Sequence, residues 1–155
     1  MALKVGDKAP DFTLPSTSGK DFNLYNDRKD KPCIIYFYPK DFTPGCTAEA
    51  CDFRDNIEFF KQFDIDVLGV SRDDVATHNK FKAKHNLPFE LLADVDGGVT
   101  KAYKATLPLV GMSKRITYLL DKDQKVAAVF EKLFGAKAHI QNMIEKVKGG
   151  AVAES

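Results

Sequence analysis

From residue 32 to residue 38 the chain reads Pro-Cys-Ile-Ile-Tyr-Phe-Tyr, with no charged side chain. A short unbroken apolar run of this kind predicts a central strand covered on both faces. Upstream, Phe12-Thr13-Leu14 and Phe22-Asn23-Leu24 flank the polar stretch 15–20, which predicts a small hairpin. Downstream, Ala50, Phe53, Ile57 and Phe60 recur at helical spacing across residues 49–62, with charged residues between them. Residues 65–70 then predict a second strand, residues 74–85 a polar helix carrying Val75 and Phe81, and residues 91–93 a short third strand. Residues 116–120 and 126–130 form a last strand pair joined by the polar turn 121–124. Residues 136–147 close the pattern as a helix with Ile140, Met143, Ile144 and Val147 on one face.

Strand, helix, strand, helix, strand, then a hairpin and a final helix is the order of a layered α/β sheet with helices on both faces. It matches a thioredoxin-like fold, a central mixed sheet flanked by helices, with an amino-terminal hairpin extension. A length of 155 residues, 44% of them hydrophobic, suffices for one core. Residues 1–148 are therefore expected to form a single domain, and residues 149–155 a frayed tail.

Charge narrows the function. Lys and Arg number 23 against 22 Asp and Glu, a net charge of +1, so no long-range field draws this chain to nucleic acid or to an acidic membrane. The amino-terminal residues lack the apolar run of a signal peptide, and the stretch at 33–38 is too short to span a bilayer. The expectation is a soluble, cytoplasmic protein. In that setting three cysteines read as reactive thiols or buried residues rather than as a disulfide framework.

The loop between the core strand and the first long helix concentrates the chemistry. Thr43 followed by Pro44 has the form of an N-cap with proline at the first helical position, which places Cys46 third in the opening turn. Backbone amides there lack internal partners and carry partial positive charge, so a thiolate is stabilised. Cys46 projects onto the face of Ala50, Phe53, Ile57 and Phe60. Cys51, rotated by about 140°, projects toward the polar side with Arg54, Asp55 and Glu58.

Pro39, Thr43 and Cys46 stand in the pattern Pro-x-x-x-Thr-x-x-Cys, and the stretch Asp-Phe-Thr-Pro-Gly-Cys-Thr-Ala-Glu-Ala-Cys resembles the peroxiredoxins of the bacterioferritin comigratory protein or Q class. The resemblance extends to residues 6–14, 70–73 and 114–121. It implies a two-cysteine peroxidase. Cys46 would be oxidised by hydrogen peroxide or an organic hydroperoxide to a sulfenic acid, and Cys51 would condense with it to an intramolecular disulfide. Thioredoxin or a similar dithiol would then reduce the bridge. It further implies a monomer with no cofactor and no metal. By the same resemblance Thr43, the Cys46 amide and Arg115 are the expected hydrogen-bond donors to the departing oxygen. Pro39 would shield the sulfur and Glu49 would position the arginine. Ile116 departs from the small hydroxyl residue that often follows this arginine. In an intact helix the Cα atoms of Cys46 and Cys51 would lie about 8.7 Å apart, beyond the roughly 4.4 to 6.8 Å of a disulfide, so the bridge requires the first turns to unwind.

Other readings compete at single residues. Cys33 lies in the apolar strand and is expected in the core, although it competes with Cys51 as the resolving thiol. His78, His85 and His139 are expected on solvated helix surfaces. A zinc site at Cys46 and Cys51 lacks a second close ligand pair, and the sequence at 94–97 lacks the later carboxylates of a calcium loop and reads as a turn. A disulfide oxidoreductase would need Cys-x-x-Cys, which is missing. An inactive thioredoxin-fold binding module is the remaining alternative.

Overall fold

The computed structural model describes residues 2–108 and 111–152. Its centre is a five-stranded mixed sheet in the order β5-β4-β3-β6-β7. The strands are β3 (Cys33–Phe37), β4 (Asp66–Ser71), β5 (Glu90–Ala93), β6 (Ile116–Leu120) and β7 (Val126–Glu131). Strands β3, β4 and β5 run parallel, whereas β6 is antiparallel to both β3 and β7. Every residue of β3 and β6 is buried, as the apolar run at 32–38 requires of a strand with layers on both faces.

The period of two divides β3 between two cores. Ile34 and Tyr36, continued by Tyr38, pack with α2 (Pro44–Asp55), α3 (Ile57–Lys61), α4 (Val75–His85) and α6 (Lys137–Lys148). Cys33, Ile35 and Phe37 pack on the other face, with Leu14, Leu24, Tyr103 and Tyr118. That second face is covered by the hairpin β1 (Thr13–Pro15) and β2 (Asp21–Asn23), the short α1 (Leu24–Asp27) and α5 (Gly98–Ala102). The hairpin pairs Leu14 with Phe22 as its flanking residues suggest, and a bridge from Ser16 to Leu92 fastens it to the sheet edge. Gly69 in β4 has no room for a side chain, since a Cβ there would sit 2.8 Å from the Tyr36 ring and from Leu91.

Several expectations change. The first long helix starts at Pro44, as the N-cap reading indicates, but does not run on to residue 62: it breaks at Asn56, whose φ is −112° and whose side-chain amide donates to the Asp52 carbonyl at 2.8 Å. The tail is not frayed from residue 149 onward. Ala151 and Val152 fold back on the core, with Val152 buried, while residues 153–155 lie outside the described residues. His78 and His139 are completely buried rather than solvated, and His85 is half-buried. Residues 94–97 form the expected turn, in which the Asp94 carboxylate accepts from the Val99 and Thr100 amides and opens α5. No helix among the described residues is long and apolar enough to cross a membrane.

Candidate active site

Strand β3, central in the sheet, ends at Phe37, and the chain then runs from its carboxyl end to the start of α2. Pro44 is the first residue of α2 and Thr43 its N-cap, so Cys46 occupies the third helical position as the sequence indicates. Thr43 does not cap with its side chain, however. Its hydroxyl donates to the Lys40 carbonyl at 2.7 Å, which leaves its lone pairs, and not its hydrogen, for a second partner.

Cys46 is 1% exposed and joins Ala50, Phe53, Ile57 and Phe60 in the core cluster, the face its helical projection predicts. Cys51 is partly exposed on the same unbroken helix, and Cys33 is buried in β3. All three are free thiols. Burial pushes the Cys33 thiol up to about 12, the behaviour of an inert core thiol.

Arg115, the residue before β6, is buried and brings its guanidinium over the opening turn of α2. Its Nη2 lies 3.4 Å from Cys46 Sγ, its Nη1 donates to Glu49 Oε1 at 2.6 Å, and its Nε donates to the Leu133 carbonyl at 2.9 Å. Three anchors from two segments, α2 and the stretch at Leu133, fix the planar fork, which the single ammonium of a lysine could not satisfy. Gly45 makes the approach possible, because a Cβ there would lie 3.1 Å from Nη2.

Pro39, Thr43, Gly45, Cys46 and Arg115 line one side of an open cavity of about 320 Å³, and residues 133–136 line the other. Leu133 and Phe134 are exposed apolar side chains on that second wall. The structure thus gathers Pro39, Thr43, Cys46, Arg115 and Glu49 at one place, with Cys51 one and a half turns further along α2.

Sequence reasoning missed the polar groups behind this site. Thr117 and His139 pair at 2.8 Å behind Glu49, and His139 Nε2 lies 2.7 Å from the Lys132 carbonyl. Asp41 and His78 form a second buried pair at 2.6 Å, which also takes the Tyr38 hydroxyl at 2.5 Å and closes on the Leu92 carbonyl at 3.0 Å. Asp73 accepts from the Asp41 amide at 2.8 Å, so this cluster pins the loop leading to Thr43. A signal for both histidines exists in helical spacing. His78 falls between Val75 and Phe81 at steps of three, and His139 precedes Met143 by four. Asp41, Asp73 and His78 bring ligand-type atoms close together, yet the imidazole and carboxylate already satisfy each other.

Known proteins resemble this chain over most of its length. Residues 5–129 match the model of the AhpC/TSA family. The peroxiredoxin Bcp of Bacillus subtilis is 40% identical over 154 residues, 96% of this chain and 97% of that one. A putative peroxiredoxin Bcp of Coxiella burnetii is 44% identical over 139 residues, 86% of this chain and 91% of its own. Among solved structures, the peroxidoxin BcpB of Mycobacterium tuberculosis superposes with a TM-score of 0.88 at 33% identity, covering 95% of this chain and 97% of that one. The mixed sheet with flanking helices is therefore the thioredoxin-like fold expected from the element order.

Proposed function

This chain belongs to the AhpC/TSA family as a peroxiredoxin resembling the Bcp and Q proteins, and from that premise we propose how it works as a thiol peroxidase. The observation that carries the reading is Arg115 Nη2 at 3.4 Å from the sulfur of a cysteine at the third position of a helix. Both features favour the thiolate over the thiol.

The Cys46 thiolate attacks the terminal oxygen of hydrogen peroxide or an organic hydroperoxide. An S–O bond forms as the O–O bond breaks, and the departing oxygen leaves as water or alcohol after taking a proton. Charge develops on that oxygen, so the Arg115 guanidinium and the free amides of the opening turn of α2 stabilise the transition state. Thr43, its hydrogen engaged by Lys40, accepts a hydrogen bond from the hydroperoxide and orients it. Pro39 keeps water from the sulfur, and Glu49 holds Arg115.

Cys51 then attacks the sulfenic sulfur, an S–S bond forms and water leaves. Intact α2 holds the two Cα atoms about 8.7 Å apart by ideal helix geometry, so α2 must open at its first turns before the bridge closes. Thioredoxin or another dithiol returns two electrons and is itself oxidised to a disulfide. The cycle needs no metal or cofactor and runs within one chain, consistent with a cytoplasmic monomer built on one domain.

Peroxide consumption by purified protein supplied with a dithiol tests the reading. Wild type should consume peroxide catalytically and Cys46→Ser should not. Equal consumption by the two would remove Cys46 from the mechanism, and no consumption by wild type would favour a binding module that merely shares the fold.

A further inference from the structure

Glu49 sits one turn beyond Cys46 on the inward face of α2 and is completely buried. Only one of its oxygens is engaged, Oε1, by Arg115 Nη1 at 2.6 Å. Oε2 is buried with no hydrogen-bond partner among the described residues. The imidazole facing it, His139 from α6, holds Nδ1 at 3.8 Å, too far for a hydrogen bond.

The wiring of His139 explains why it offers no charge. A carbonyl only accepts, so Nε2, at 2.7 Å from the Lys132 carbonyl, carries the ring hydrogen. With the ring kept neutral by its burial, Nδ1 accepts from the Thr117 hydroxyl at 2.8 Å. Burial, with Arg115 and Lys132 nearby, pushes His139 down to about 4 in spite of the Lys132 carbonyl. Tyr36 from β3 also faces this space. Burial and the neighbouring acids raise its phenol well above the ordinary range, so it stays neutral as well. Arg115 is thus the one cation set against two acids, Cys46 and Glu49, among the described residues.

Ionising both acids would leave a buried net negative charge and an unpaired carboxylate oxygen, an arrangement that low dielectric penalises heavily. One proton is therefore retained. Cys46 has the free amides of a helix start and Nη2 to stabilise its anion, whereas Glu49 Oε2 has nothing. We propose that Glu49 works as a neutral carboxylic acid, a positioning residue that aims Arg115 through Oε1 and leaves the guanidinium charge to Cys46 and the departing oxygen. Thr117 and His139 enforce the neutral state by satisfying each other instead of Glu49. Burial pushing Glu49 up to about 8, despite the charge and hydrogen bond of Arg115, agrees with this arrangement. The role rests on Cys46 being the nucleophile; the protonation state does not.

Two measurements on the reduced protein test the proposal. The glutamate side-chain carboxyl 13C resonances of wild type, followed by NMR against pH, should include one that titrates near pH 8. All glutamates titrating in the ordinary acid range would overturn it. The rate of Cys46 oxidation by hydrogen peroxide, taken by stopped flow, should fall by about fivefold or more between pH 7 and pH 9.5 as Glu49 ionises and shares the guanidinium. Glu49→Gln reproduces the shape of the neutral acid and cannot ionise, so it should flatten that fall to less than about twofold. A variant profile that still falls as steeply as wild type would overturn the role, as a merely structural Glu49 predicts. If Glu49→Gln does not fold, the wild-type titration decides alone. A wild type inert toward peroxide would sink the peroxidase reading while the carboxyl titration still decided the protonation state.

Discussion

Gly45→Ala separates the stability of the opening turn of α2 from its chemistry. Gly45 is not among the glycines with positive φ, so alanine adopts its backbone without strain, and in a helix it is favoured over glycine by about 0.5 to 1 kcal/mol. Its Cβ, however, would lie 3.1 Å from Arg115 Nη2 and 3.9 Å from Cζ. Ordinary carbon contacts begin near 3.5 Å, so the guanidinium must retreat by about 0.4 Å. It is held from behind by the 2.6 Å bond to Glu49 and the 2.9 Å bond to Leu133, so the retreat lengthens the softest anchor, Nη2 to Cys46 at 3.4 Å. A hydrogen bond to a charged group contributes about 1.5 to 3 kcal/mol, and losing about half of it costs about 1 kcal/mol, or about fivefold in rate. Stopped-flow oxidation by peroxide and urea unfolding of the same sample should show a protein about fivefold slower and no less stable than wild type. An unchanged rate would refute the claim that Arg115 acts through this contact. A loss of stability above about 1 kcal/mol would show that the helix start cannot absorb the methyl group, and the kinetic argument would fall with it.

Other consequences follow from the buried polar groups and the sheet. In the native state His139 is depressed from 6.5 to about 4, so below pH 6.5 the unfolded chain binds a proton that the native chain refuses. The His139 contribution to stability should therefore fall by about 3 kcal/mol in total as pH drops through that window, a fall laid bare in Glu49→Gln, where no opposing group titrates. Glu49, raised from 4.5 to about 8, acts in the opposite sense. The native state holds its proton longer, so between about pH 4.5 and 8 Glu49 lowers stability as pH rises; this offsets His139 up to about pH 6.5 and stands alone above it, and Glu49→Gln should remove that decline in urea titrations. His78→Leu leaves Asp41 buried without its imidazole and should cost about 3 kcal/mol by urea unfolding; a cost below about 1 kcal/mol would mean the pair contributes no net stability. Gly69→Ala drives a methyl group into Tyr36 and Leu91 at 2.8 Å and should destabilise by about 1 to 3 kcal/mol, detectable as a lowered Tm.

The strands were legible because each central one is a short apolar run bounded by polar or turn residues, and β3 and β6 are buried along their whole length. The break at Asn56 was not, because Phe53, Ile57 and Phe60 keep a helical spacing straight across it. The helices α1 and α5, of four and five residues, are too short to show a period of 3.6. At the site, the place of Cys46 followed from local signals, the proline at the helix start and the apolar face of α2. Arg115 is 69 residues away in sequence and came only through family resemblance. The histidines were misjudged for a related reason. His78 is buried against Asp41, 37 residues away, and His139 against Thr117, 22 residues away, partners that no local pattern reveals. The hydroxyl of Thr43 turned to Lys40 instead of capping α2, a choice between two acceptor and donor sets that residue identity alone leaves open.

In the proposed cycle Cys46 and Cys51 form one redox couple across a helix that must open. One equivalent of hydrogen peroxide added to reduced protein, followed by intact mass and peptide mapping, tests it most directly, with backbone hydrogen exchange measured on the product. The expected outcome is a rapid loss of two hydrogens, a bridge between Cys46 and Cys51, a trapped sulfenic acid in Cys51→Ser, and lost protection at the start of α2. A Cys46 that oxidises but bridges to Cys33 or to nothing would contradict the couple, and an α2 that stays protected in the bridged protein would contradict the opening.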